Sequence, residues 1–247
     1  MPGSLDFRVI SIGTLSAHPL WGERNPVRTG HATTTLIRAD DMTILVDPGL
    51  PAPALKARLH ERSGLTPDKV THVFLTSFHP EARRGIELFE HADWLISEQE
   101  RESVGVPIAQ SLGRLAENQE MAKQTGEEFH EDQQTMLEVL QRDIAVLART
   151  QAAPDALCDE VDLFPLPGFS PGSCGLLIKG VADTTLICGD TIATQEHLAQ
   201  GKVLAACADR EKAMESFKEA LEIADLLVPG RDNLLANPTG TPRGPIG

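Results

Sequence analysis

The first half of the chain alternates short apolar runs with turn-forming and helix-forming stretches. Asp6 to Ile12 alternates around Phe7, Val9 and Ile10, and Ala32 to Ile37 and Met42 to Asp47 are rich in β-branched residues. The three segments predict strands, the last two joined as a hairpin across Asp40-Asp41. Leu15 to Gly30, with Pro19, Trp21, Gly22 and Pro26, predicts a loop. A loop that long inside a compact domain is more often functional than idle. Leu55 and Leu59 stand four residues apart between Pro53 and Ser63, and Gly64 follows, which predicts a helix and its stop. Val70 to Leu75 reads as a buried strand. Pro80 and Glu81 suit the first turn of a helix, one by its fixed φ and the other by its charge at the positive end of the dipole. Asp93 to Ile96 reads as another short strand.

Glu98 to Thr150 departs from this alternation. It is rich in helix formers, with Phe129, Met136, Leu140, Ile144 and Leu147 at helical spacing. The stretch predicts a helical insert with one stripe packed on the body of the domain. A cap over the site or a homodimer contact is the alternative use of the same stripe. Strands return at Val161 to Leu166, Cys174 to Lys179 and Thr184 to Cys188. Ala208 to Ala224 predicts a helix with Ala213, Phe217, Ala220 and Leu221 on one side, and Asp225 to Val228 a last strand. With no internal repeat or linker, residues 1–236 read as a single domain, and the Pro- and Gly-rich 237–247 as a flexible tail.

Charge narrows the partners. With 22 Lys+Arg against 36 Asp+Glu, the formal net charge of -14 argues against nucleic acid, whose phosphates require a basic surface. No apolar run approaches the ~20 residues of a membrane span. Met1 to Asp6 lacks the basic and apolar regions of a secretory signal, so the expectation is a cytoplasmic protein. Cys158, Cys174, Cys188 and Cys207 are scattered and read as reduced core thiols.

The stretch Thr76-Ser77-Phe78-His79-Pro80-Glu81-Ala82-Arg83-Arg84-Gly85 follows the strand Val70 to Leu75. It resembles, without a gap, the Thr-His-x-His-x-Asp-His-x-Gly-Gly signature of the metallo-β-lactamase-fold hydrolases. Four further segments resemble motifs of that family in family order: Asp47-Pro48-Gly49, Gly168-Phe169-Ser170-Pro171-Gly172-Ser173, Gly189-Asp190 and Pro229-Gly230-Arg231. The resemblance implies an α/β fold, an αββα sandwich of two mixed β-sheets flanked by helices. The site would lie where the strand-end loops meet.

The same resemblance implies two zinc sites joined by a bridging aspartate. At the family's ligand positions this chain has Ser77, His79 and Phe169 for the first metal and Glu81, Ala82 and Arg231 for the second, with Asp190 as the bridge. Zinc favours at least three good protein ligands in tetrahedral array. Neither set supplies three alone. The expectation is therefore no cofactor and no dinuclear zinc, with a single zinc, iron or manganese on His79, Glu81 and Asp190 as the alternative. Arg231 is expected between Glu81 and Asp190, where a guanidinium can bridge carboxylates by paired hydrogen bonds. Phe169 would fill the first metal position with carbon. Two functions follow: a pseudoenzyme binding a small-molecule ligand or a partner, or a divergent hydrolase of a small ester, thioester or lactone. Ser77 and Ser170 lack a nucleophile elbow.

Overall fold

The computed structural model describes residues 5–126 and 128–240. The chain begins with Asp6–Ser11 (β1), Thr34–Ala39 (β2) and Met42–Val46 (β3), followed by Ala52–Ser63 (α1). His72–Leu75 (β4), Pro80–Arg83 (α2) and Asp93–Ile96 (β5) come next, then Glu98–Thr125 (α3) and Glu131–Arg149 (α4). The second half contains Gln151–Ala152 (β6), Ala156–Cys158 (β7), Val161–Pro165 (β8), Cys174–Lys179 (β9) and Thr184–Gly189 (β10). It ends with Gln195–Gln200 (α5), Arg210–Ile223 (α6), Leu226–Pro229 (β11) and Leu235–Ala236 (β12).

These strands make two six-stranded sheets, ordered β1-β2-β3-β4-β5-β6 and β12-β11-β10-β9-β8-β7. Both are mixed: β3, β4, β5 and β6 run parallel beside an antiparallel β1-β2-β3, and β10-β11 is parallel within an otherwise antiparallel sheet.

The sheets face each other through Ile37, Ile44, Val46 and Phe74 on one side and Leu176, Ile178, Ile187 and Val228 on the other. On the outer face of the first sheet, Leu45, Val73 and Leu75 pack against Leu55 and Leu59 of α1 and Val146 and Leu147 of α4. On the outer face of the second, Leu186, Cys188 and Leu227 meet Phe217 and Ala220 of α6. Central strands are thus covered on both faces, which is why they read as apolar runs rather than clean alternations. The result is an αββα sandwich.

The insert differs from the sequence expectation. It is two helices turning at Gly126, which is left-handed at φ 75 and ends α3 as glycine commonly does. Phe129 precedes α4, and the buried residues of α4 are Leu137, Val146 and Leu147, while Met136 is half exposed. Only Leu147 of the expected stripe is buried, because the contact with the body is made by the last turns alone. The four cysteines are free, but Cys158 and Cys207 are only partly buried, so they are not core thiols. Asn237, expected in the tail, is buried and its amide donates to Leu221 O and Ala224 O. Of the expected tail, 241–247 lies outside the described residues.

An arginine–carboxylate triad as candidate functional site

The site forms where β3, β4, β8 and β10 end and the chain leaves each strand in a loop. Arg231, two residues beyond β11, is 4% exposed. Its Nε and Nη2 each donate to one oxygen of Asp190 at 2.7 Å, and its Nη1 donates to Glu81 Oε2. The paired bonds to Asp190 are the fork-on-fork arrangement that a guanidinium makes with a carboxylate. Backbone pairing holds the two loops in place, with Gly230 N bonded to Ile192 O and Arg231 N to Ala193 O. Gly230 must lack a side chain, because a Cβ there would come within 2.6 Å of Gly189.

Charge compensation sets the ionisation of the triad. Burial alone would raise the pKa of Asp190, but the charge and hydrogen bonds of Arg231 outweigh it and hold the carboxyl below its usual value. Burial likewise works against the guanidinium, and Asp190 followed by Glu81 reverses that, so Arg231 stays charged. One cation faces two carboxylates.

His79 caps the N-terminus of α2, its Nδ1 accepting from Glu81 N at 3.3 Å, and its ring meets Phe169 edge-on at 5.8 Å between centroids. Partial desolvation lowers its pKa, which Asp190 only partly opposes, so the imidazole is neutral near pH 7. Ser77 is buried and its hydroxyl lies 3.4 Å from His79 N. Ala82 is buried as well and offers no donor. The structure thus gathers Glu81, Asp190 and Arg231 into one contact network, with His79 and Phe169 paired beside it.

Three supporting elements were not legible as such. Asp47, at the end of β3, takes a left-handed φ of 48 that few non-glycine residues adopt. Its two oxygens accept from Thr76 N at 2.9 Å and Thr76 Oγ1 at 2.7 Å. Burial, aided by Asp190, outweighs those bonds and raises its pKa to about 7. Glu100 is buried, with Oε1 accepting from Phe78 N and Oε2 from Ser170 Oγ and Gly172 N, so one carboxylate ties the His79 loop to the Phe169 loop. That bond commits the Ser170 hydroxyl to a structural partner. Ser97-x-x-Glu100 is a helix-start pattern in the sequence, and Ser97 does cap α3, but the inward turn of Glu100 leaves no local signal.

The third element is a buried polar chain behind Asp190. His18, from the long loop, stacks on Trp21 at 4.1 Å and places Nε2 3.1 Å from Thr194 Oγ1, which also meets His197 Nδ1 at 2.9 Å. Burial and the neighbouring His18 lower the pKa of His197. The loop expected between the first strands is therefore fastened to α5 rather than free. Its end, Gly30, lies against Glu81: a Cβ there would sit 2.3 Å from Glu81 Oε1. His31 is partly buried, its Nε2 3.1 Å from Ile12 O, and stands apart from the triad.

The donor chemistry does not fit a dinuclear zinc centre. Both Asp190 oxygens and one of Glu81 are already engaged by a permanent cation, and Ser77, Ala82 and Phe169 supply no imidazole. His79, Glu81 and Asp190 do not bring one donor atom each within 4.8 Å of one another.

The Metallo-beta-lactamase superfamily profile matches residues 27–81, ending on Glu81. A Thermotoga maritima structure assigned to the metallo-beta-lactamases superposes with a TM-score of 0.64 at 17% identity, covering 94% of this chain and 99% of its own. AidC, a dizinc quorum-quenching lactonase bound to a homoserine product, gives 0.56 at 18% identity over 77% of this chain and 67% of its own. An N-acyl homoserine lactone hydrolase with product at its catalytic metal centre gives 0.55 at 18% identity over 89% and 87%. No curated protein sequence matches. Residues 27–81 thus match the metallo-β-lactamase superfamily profile, and the chain as a whole shares the metallo-β-lactamase fold. Among the described residues no helix is long and apolar enough to cross a membrane.

Proposed function

We propose that this chain is a pseudoenzyme of the superfamily, binding a small molecule or a protein partner without a dinuclear zinc centre. The observation that carries this reading is the engagement of both Asp190 oxygens by Arg231. An aspartate whose two oxygens both accept from a guanidinium cannot at the same time bridge two metals. Arg231 supplies the positive charge that the surrounding carboxylates require, and Phe169 supplies bulk beside His79. Elemental analysis of the purified chain tests the reading. Two metals per chain, or one metal whose retention depends on Asp190, would overturn it.

The second reading, a hydrolase of a small ester, thioester or lactone, draws on one specific feature. His79 is exposed, neutral near pH 7 and adjacent to Glu81, so it could accept a proton without metal. The lactonase structures of the same fold make lactones the first substrates to try. Turnover abolished by His79→Gln, and unaffected by chelator, would favour it over the first.

A further inference from the structure

A second cluster lies at the opposite end of the sandwich. β2 and β3 are joined by the two-residue turn Asp40-Asp41, and β7 and β8 by the two-residue turn Asp159-Glu160. β3 and β8 start at these turns and end at the triad, so the turns are a full strand length away from it. The turns belong to different sheets, yet they converge. One donor atom each from Asp40, Cys158 and Glu160 lies within 4.8 Å of the other two.

Two further observations concern what the cluster lacks. Glu160 is partly buried as a residue, but its Oε2 is sealed from solvent and has no hydrogen-bond partner among the described residues. A buried carboxylate oxygen without a donor is costly and uncommon. In addition, the two turns carry four carboxylates, Asp40, Asp41, Asp159 and Glu160, and among the described residues none of them is in an ion pair with Lys, Arg or His. Lys179, whose backbone N donates to Glu160 O, has its ammonium committed to Asp162 at 3.0 Å. Asp40 is held at a left-handed φ of 50, which fixes the turn that presents it. The pieces of a donor set are in place, and among the described residues no ion pair balances their charge.

We propose that Asp40, Cys158 and Glu160 bind a single divalent cation of the zinc type, clamping the two sheets at the end remote from Arg231. One thiolate and two carboxylates form a mixed sulfur and oxygen set, which suits zinc and its cobalt substitute and does not suit magnesium or calcium. A water would complete four-coordination. Binding exchanges the S–H bond of Cys158 for a sulfur–metal bond and releases one proton to solvent, with no change of oxidation state. The Cys158 thiol has its pKa raised by burial and by the neighbouring Glu160 and Asp40 carboxylates, so without metal it is protonated at neutral pH, and affinity should fall on acidification.

Cobalt titration of the full chain tests the site directly, because cobalt bound to thiolate absorbs in the near ultraviolet and cobalt bound to oxygen alone does not. The expected result is a saturable charge-transfer band at one cobalt per chain, displaced by zinc and accompanied by a higher Tm. Cys158→Ser should abolish the band, while Cys207→Ser and Asp190→Asn should retain it. If Cys158→Ser does not fold, Glu160→Gln, which keeps the thiol, should show weaker cobalt binding. No band in the wild-type chain, or a band undiminished in Cys158→Ser, overturns the proposal. A band lost in Asp190→Asn but kept in Cys158→Ser would overturn both this site and the metal-free reading of the triad.

Discussion

Arg231 and Asp190 meet through two parallel hydrogen bonds of 2.7 Å, one from Nε and one from Nη2, in a setting where the arginine side chain is 2% and the aspartate side chain 6% exposed. Breaking a buried pair from one side strands the other charge, typically at a cost of ~3–5 kcal/mol, whereas an exposed pair is worth ~1 or less. Glu81 is 22% exposed and can relax toward water, so the lower part of the buried range is expected for Arg231→Ala. Denaturant melts near pH 7 measure it. A change below about 1 kcal/mol would mean that the triad contributes little.

The same variant should respond to pH. In the wild type Asp190 has a depressed pKa, so it adds stability above the unfolded carboxylate pKa and loses it as pH falls. Without Arg231, burial dominates and Asp190 holds a proton more readily than in the unfolded chain. The deficit of Arg231→Ala should therefore shrink on acidification, and adding Glu81→Gln should recover part of it at pH 7. Paired melts at pH 5 and pH 7.5 check both statements.

Asp47 has the opposite sign. Its folded pKa, raised to about 7, lies above the unfolded value of 3.8, so the folded state holds more protons between these limits. Stability contributed through Asp47 should fall as pH rises across that window and level off above it, by roughly 1.4 kcal/mol per unit at most. Asp47→Asn keeps the acceptor for Thr76 N, gives Thr76 Oγ1 a donor, and tolerates the left-handed backbone. It should flatten this part of the stability profile; a profile unchanged by the substitution would contradict the assignment.

Glu100→Ala removes the acceptor for Phe78 N, Ser170 Oγ and Gly172 N together. Each buried donor left without a partner costs ~1–3 kcal/mol unless water enters. A loss of at least about 2 kcal/mol is expected, with faster amide exchange at Phe78 and Gly172.

Restoring Ala82→His and Arg231→His together should not revive hydrolysis, because Phe169 still stands beside His79 where the first metal would require a third imidazole. Assays on esters and lactones with added zinc are the check. Metal-dependent turnover by the double variant would show that Phe169 is not the obstacle.

The fold was legible because its motifs sit at strand ends, where turn residues and charges are few and well spaced. Asp47-Pro48-Gly49, Gly189-Asp190 and Pro229-Gly230 mark chain reversals that the sheets bring together, and the contact of Arg231 with Glu81 follows from their positions in the family pattern. What stayed hidden depends on direction. Glu100 reads as an ordinary first-turn acid, and only the close approach of Gly172, where a Cβ would lie 2.0 Å from Glu100 N, shows why it turns inward. His18 and His197 are 179 residues apart, and nothing local predicts that one threonine serves both. The insert departs from its pattern for a related reason: a period of apolar residues gives a face, not the length of face that finds a partner.

The cation of this site is attached to the main chain. A metal can be stripped by a chelator, exchanged for a competitor, or missing when supply is short. A guanidinium two residues beyond β11 meets its carboxylates at an effective concentration set by the fold alone. On the metal-free reading proposed above, each copy is loaded as soon as it folds, and the state of the site carries no record of the metals around it.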